Sequence, residues 1–154
     1  MKITFDTYKP AYASAFEQLN LAWLEEFFYV ESYDKEVLQN VNRYILDPGG
    51  HILVALAEDN VVGVVALMKL KNGDFELTKM AVDSNYRGHK IGQQLMQYCL
   101  DFAKERKIDT LILYSNRILE NAIYIYRKFG FIEIPLEKDN PYERANIKMK
   151  LKLN

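Results

Sequence analysis

Between Leu77 and Met96 the chain carries Arg87 and Lys90 interleaved with Gly88 and Gly92. The residues before them, Leu77-Thr78-Lys79-Met80-Ala81-Val82, are apolar and β-branched enough for a strand. From Ile91 onward Ile91, Leu95, Tyr98, Cys99 and Phe102 recur at helical spacing. A strand that turns through glycines into a helix leaves unpartnered N–H groups at the helix start, where the dipole also favours negative charge. With basic side chains beside it, such a loop can hold a phosphate or pyrophosphate. No Gly-Lys-Ser/Thr follows the glycines, which excludes a P-loop nucleotide hydrolase.

The other reactive residue types offer less. Cys99, the only cysteine, sits on an apolar helical stripe without a cation to lower its pKa, so it is expected to be a buried hydrophobe and not a nucleophile. His89 is expected at an exposed loop tip beside the phosphates, and His51 in a structural role. No His, Cys or carboxylate spacing proposes a metal.

These residues need a scaffold. The chain has 154 residues, 49% hydrophobic and 13% aromatic, with eleven Tyr and eight Phe, enough for one domain with a sizeable core. A net charge of −1 argues against a nucleic-acid partner. No apolar run approaches the roughly 20 residues that span a bilayer. Asp6 interrupts any apolar leader, so a soluble cytoplasmic protein, monomeric or homodimeric, is expected.

Ile3 to Tyr8 alternates like a strand. Ala11 to Phe28, after Pro10, places Phe16, Leu19, Trp23 and Phe27 on one helical face. Asp34 is the expected N-cap of a second helix with Val37, Leu38, Val41 and Ile45 inward, closed by Asp47-Pro48-Gly49-Gly50. Strands are expected over Ile52–Ala57, Val61–Leu70 and Phe75–Val82, the last two joined at Asn72-Gly73. A helix from Ile91 to near Lys107, a strand over Thr110–Tyr114 and a helix over Leu119–Phe129 capped by Gly130 come next. Short strands over Phe131–Pro135 and Ala145–Leu153 flank a loop, Lys138–Arg144. The order predicts an α/β (α+β) domain, residues 1–154, with one mixed, mostly antiparallel twisted sheet covered by helices on its faces.

Two segments of this chain resemble GCN5-related N-acetyltransferases (GNAT). Tyr86-Arg87-Gly88-His89-Lys90-Ile91-Gly92 is similar to the Arg/Gln-x-x-Gly-x-Gly/Ala loop that binds coenzyme A pyrophosphate in that family. Ala122-Ile123-Tyr124-Ile125-Tyr126-Arg127-Lys128-Phe129-Gly130-Phe131 is similar to its Ala-x-x-Leu-Tyr-x-Lys-x-Gly-Phe helix. Lys90 stands where the family has its central Gly. It is expected in the first turn of the helix, unstrained and adding a cation; a positive φ would instead cost on the order of 1 kcal/mol.

The resemblance implies transfer of an acetyl group from acetyl-CoA to an amine, by direct attack and without a metal. It implies a splayed parallel strand pair, Phe75–Val82 beside Thr110–Tyr114. Arg87, Gly88, His89, Lys90, Ile91, Gly92 and Gln93 would cradle the pyrophosphate, and Met80, Ala81 and Val82 would offer main-chain hydrogen bonds to pantetheine. Where many members have an Asn, this chain has Leu119, so Asn116 is the expected pantetheine contact, with Asn121 the other candidate. Tyr126 is implied as the acid that protonates the leaving thiolate, with Tyr124 also at the cofactor and the alternative acid.

The attacking amine must lose a proton, and Glu76, expected to share a strand face with Thr78 and Met80, is the implied base. Trp23, Phe27, Phe28 and Tyr142 are expected at the acceptor. Beside the acids Glu25, Glu26, Glu31 and Asp34 they would suit a cationic small amine or amino acid.

Overall fold

The computed structural model describes all 154 residues. One sheet of seven strands organises the chain: β1 (Ile3–Thr7), β2 (His51–Ala57), β3 (Asn60–Lys69), β4 (Phe75–Val82), β5 (Thr110–Ser115), β6 (Ile132–Ile134) and β7 (Ile147–Lys152), in the spatial order β1-β2-β3-β4-β5-β7-β6. Only β4 and β5 run parallel, and the helix Ile91–Glu105 supplies the crossover that a parallel pair needs; every other neighbouring pair is antiparallel. The β3–β4 connection closes at Asn72-Gly73, with Gly73 at φ +92°.

Helices cover both faces. The face carrying α3 (Ile91–Glu105) and α4 (Glu120–Lys128) holds the larger core, in which Leu95, Met96, Cys99 and Phe131 pack on Leu53, Val65, Leu77 and Leu111. The opposite face packs Phe16 of α1 (Ala13–Phe27) and Val37 and Leu38 of α2 (Ser32–Gln39) against Val54, Val64, Ala66 and Ala81. No helix is long and apolar enough to cross a membrane.

Two local expectations are corrected. The first helix opens with a 3-10 turn over Pro10–Tyr12, and the second is broken: α2 ends at Gln39, and a separate π-helical turn spans Asn42–Leu46. Asp34 is not the N-cap of α2. Glu31 is, and Asp34 at N3 accepts the Glu31 N–H at 3.0 Å to complete a capping box.

The decisive feature for the site is a bulge in β4. Ala66 of β3 faces Thr78, but Val64 faces Ala81, so Lys79 and Met80 together oppose Val65, with Lys79 at φ +56°. The extra residue reverses the alternation. Before it, Phe75 and Leu77 enter the α3-side core; after it, Met80 and Val82 do. Glu76, Thr78, Lys79 and Ala81 therefore face the α1 side, which corrects the expectation that Met80 shares the face of Glu76.

Candidate functional site

β4 and β5 are paired only at Phe75–Leu111 and Glu76–Ile112. Beyond that they part, and a cavity of about 560 Å³ opens between their C-terminal halves. Its walls include Met80, Ala81 and Val82 on β4, Leu113, Tyr114 and Ser115 on β5, and Trp23, Phe27 and Phe28 from α1 and the residue after it. Asn116, Asn121 and Tyr126 line it near α4, and Tyr142 and Arg144 line it from the late loop. Of the sequence-predicted residues, Met80, Ala81, Val82, Arg87, Asn116, Asn121 and Tyr126 line this space with Trp23, Phe27, Phe28 and Tyr142, whereas Glu76, Tyr124 and the stretch Gly88–Gln93 do not.

Following Arg87, which lines the cavity, the amides from Gly88 to Gln93 donate to no group in the protein, and Lys90 at the N-cap of α3 offers no side-chain cap. These are the free donors of a helix start, and they suit an anion. Gly88 at φ +86° supplies a conformation that side-chain-bearing residues rarely adopt. Ile91 contributes only its amide, because its side chain is core. Lys90 lies at φ +58°, ψ +27°, in the left-handed region and not in the first helical turn, which corrects the expectation of an unstrained residue. Lys90→Gly is expected to relieve about 1 kcal/mol and raise the melting temperature of the ligand-free protein, while weakening coenzyme A binding measured by calorimetry. An unchanged or lower melting temperature would show that the strain does not exceed the unfolded-chain entropy that glycine adds.

Arg87 does not face the open amides. Its guanidinium takes both carboxylate oxygens of Glu26 and lies 5.5 Å from the Phe27 ring centroid, tying the loop to α1. Asn116 lines the cavity but its amide is committed: Nδ2 donates to Arg144 O at 2.6 Å, and Oδ1 accepts from Ile118 N. Asn121, exposed and making no hydrogen bond within the protein, keeps its amide free. Tyr124 is 66% exposed and does not line the cavity.

The Tyr126 ring packs edge-on to Phe131, its hydroxyl has no hydrogen-bond partner in the protein, and burial pushes its pKa up to about 12. Its neighbours hold it in place while leaving the proton uncommitted. Cys99 is fully buried and its thiol is likewise pushed up to about 12, consistent with an inert core residue. His51 packs against Phe75 and Phe102.

Glu76 is only 3% exposed. Its Oε2 accepts the Tyr142 hydroxyl at 2.6 Å, and that hydroxyl lies 3.2 Å from Thr78 Oγ1. Burial raises the Glu76 pKa, an effect that Tyr142 and Lys79 only partly offset. Glu76 does not itself line the cavity; Tyr142 and Thr78 do. A chain of hydroxyls therefore joins a buried carboxyl to the open space.

Sequence reasoning missed the ionic floor beneath that chain. Lys79, swung to the α1 side by the bulge, donates to Asp34 Oδ1 at 2.9 Å, with its Nζ 4.9 Å from the Tyr142 ring centroid. Arg144 grips Asp34 through Nη1 at 2.7 Å and Nη2 at 3.0 Å, and Glu31 through Nη1 at 2.8 Å. Burial opposes the Asp34 charge, yet the Arg144 and Lys79 bonds outweigh it and hold that carboxyl below the usual range. Burial likewise depresses Lys79. The one local clue was a lysine between Thr78 and Met80 inside the strand. Of the four acids expected to attract a cationic amine, three are spent, Asp34 and Glu31 on Arg144 and Glu26 on Arg87, while Glu25 is exposed and makes no ion pair.

The profile of the Acetyltransferase (GNAT) family matches residues 16–131. N-acetylaspartate synthetase of Mus musculus is 31% identical over 112 residues, 72% of this chain and 36% of that protein. A probable N-acetyltransferase, camello, of Xenopus laevis is 30% identical over 112 residues, 71% of this chain and 51% of that protein. The chain spans about a third to a half of the length of such curated relatives. Among solved structures, an acetyltransferase of the GNAT family from Staphylococcus aureus Mu50 superposes with a TM-score of 0.86 at 26% identity, covering 99% of this chain and all of that one. The PaiA N-acetyltransferase of Thermoplasma acidophilum, solved in complex with coenzyme A, shares the fold with a TM-score of 0.73 at 19% identity over 99% of each chain. With a family profile over most of its length and a fold shared end to end with a GNAT enzyme, this chain belongs to the acetyltransferase (GNAT) family.

Proposed function

We propose that the protein transfers the acetyl group of acetyl-CoA to the amine of a small molecule or amino acid. The observation that carries this reading is one cavity lined by an uncommitted tyrosine hydroxyl and a hydroxyl chain to a buried carboxyl, with an open amide cradle following Arg87 of its wall. Relatives named N-acetylaspartate synthetase support a small amino-acid acceptor.

The residues present fit coenzyme A. The amides of Gly88 to Gln93, with the Lys90 cation nearby, would hold the pyrophosphate. The edge of β4 left without a strand partner beyond Glu76 would hold pantetheine through Met80, Ala81 and Val82, with the free Asn121 amide across the gap. Acetyl-CoA supplies an acyl group already activated as a thioester. Tyr126 is assigned to donate its proton to the departing sulfur.

Glu76 is assigned to take the amine proton, passed through Thr78 and Tyr142. Alkyl and α-amines have pKa values of roughly 8 to 10, so at neutral pH most of the acceptor is protonated and cannot attack. A buried carboxyl whose pKa is raised is a stronger base than a surface glutamate. The reading is tested by following thiol release from acetyl-CoA against a panel of amines. Tight acetyl-CoA binding with no acetylated amine in the panel would point to a non-catalytic binding module.

Within active protein, Glu76→Gln is expected to lower kcat/KM about 100-fold at pH 7. The deficit should shrink as pH approaches the amine's own pKa. A group with a raised folded pKa binds its proton more tightly when folded, so its effect on stability worsens as pH rises from the ordinary value of about 4.3 to the folded value. Glu76→Gln is thus also expected to melt higher than wild type at neutral pH and alike below pH 4. A pH-independent rate deficit, or a lower melting temperature at pH 7, would remove Glu76 from this role.

A further inference from the structure

The guanidinium of Arg144 is not used up by the ionic floor. Asp34 takes one N–H from each of Nη1 and Nη2, end-on, and Glu31 takes the second N–H of Nη1. What remains is Nε–H and the outer N–H of Nη2, which lie side by side on one edge. That edge presents two parallel donors at the spacing of a carboxylate's oxygens. Nε has no protein partner and is not sealed inside the protein, and Arg144 forms part of the cavity wall together with Tyr142 and Thr78.

The two cations and two carboxylates of the floor balance, and neither carboxylate is free to compete for the edge. Asp34 accepts from Lys79, from Arg144 twice and from the Glu31 amide; Glu31 accepts from the Glu143 amide and from Arg144. Neither acid is left facing the cavity with an unsatisfied oxygen for an ammonium. The two acids also fix the guanidinium, so little side-chain freedom remains to be lost when its free edge is engaged. The loop carrying Arg144 is pinned as well, since Asn116 holds the Arg144 carbonyl at 2.6 Å.

We propose that the free Nε–Nη2 edge of Arg144 binds the carboxylate of the acceptor, so that the acceptor is an amino acid with a free carboxyl group and not the N-terminus of a peptide. This deepens the acetyltransferase reading above and rests on it for the identity of the cavity. A peptide places a neutral amide where a free amino acid places its carboxylate: its single carbonyl oxygen cannot match both donors and leaves the charge of the edge uncompensated.

The test uses L-aspartate, L-methionine and L-phenylalanine, each beside its α-carboxamide, with the 154-residue chain. Two readouts are taken: acetyl-CoA turnover, and the ¹⁵N–¹H resonance of Arg144 Nε during titration, which needs no turnover. The resonance is assigned by its loss in Arg144→Lys, a variant that keeps the charge next to Asp34 but lacks the two-donor edge.

At least one acid is expected to shift the Arg144 Nε resonance while its amide does not, and to be acetylated with a kcat/KM about 10- to 100-fold above that amide. In Arg144→Lys that ratio should fall toward one, mainly through KM. Amides used as well as acids, or a ratio unchanged in Arg144→Lys, would overturn the proposal while leaving the acetyltransferase reading intact. Acids that shift the resonance without any turnover would sustain it and sink the catalytic reading. No shift with any acid would overturn it outright.

Discussion

Tyr126→Phe is expected to cut turnover by about 100- to 1,000-fold while leaving acetyl-CoA affinity within a few-fold of wild type. The hydroxyl makes no hydrogen bond within the protein, so its loss strands no partner and should leave stability nearly unchanged. The effect is placed toward the lower end of general-acid contributions for a specific reason. A tyrosine held at about 12 is a weak acid toward a thiolate whose own pKa is near 8.5, so part of its value lies in hydrogen bonding to the developing charge. The same burial keeps the proton on Tyr126 through the working pH range. Any decline in rate between pH 8 and 10 must come from another group. Single-turnover kinetics with and without the hydroxyl decide the matter: an undiminished rate in Tyr126→Phe would leave the tyrosine a packing residue.

Asp34→Ala is expected to cost about 3–5 kcal/mol, because it leaves Lys79 and part of Arg144 as buried cations without their counter-ion. For a chain of this size that corresponds to a melting temperature lower by roughly 6–20 °C. Replacing both Asp34 by Leu and Lys79 by Met should cost less than the single change, since Arg144 keeps Glu31 and no buried lysine is stranded. The folded-state pKa of Asp34 is depressed, so its stabilisation is fully present above the ordinary aspartate value of about 3.9. It is lost as pH falls through the lower folded value. Thermal melts of wild type and Asp34→Ala should therefore converge in strong acid. A single mutant as stable as wild type at pH 7 would show that the ionic floor contributes little.

Much of this protein is legible locally. The passage from strand to glycine loop to helix at Val82–Ile91 depends on periodicity and turn chemistry within a few residues, and the chain folds there as its pattern predicts. Tyr126 reaches the cavity because helical spacing alone sets it on the face with Ile123 and Phe129, whereas Tyr124 points away for the same reason. Lys90 and the β4 bulge behave differently. Whether a loop lysine takes a left-handed conformation depends on how the loop must close onto a helix already docked against β3, and no neighbour in sequence records that demand. In β4 one inserted residue reverses the parity of every residue after it, so a strict two-residue alternation placed Met80 with Glu76 and misplaced Lys79.

What the amino-acid order determined by itself is the cradle of backbone groups proposed to hold the donor, because backbone groups need only local conformation to converge. The side chains proposed to face the acceptor are brought from far apart. Arg144 meets Asp34 across 110 residues, and Tyr142 meets Glu76 across 66. Only the packed sheet, with its bulge turning Lys79 under the late loop, decides which charges cancel and which edge of Arg144 stays free, since charge pairing in a buried site is set by proximity in space and not along the chain.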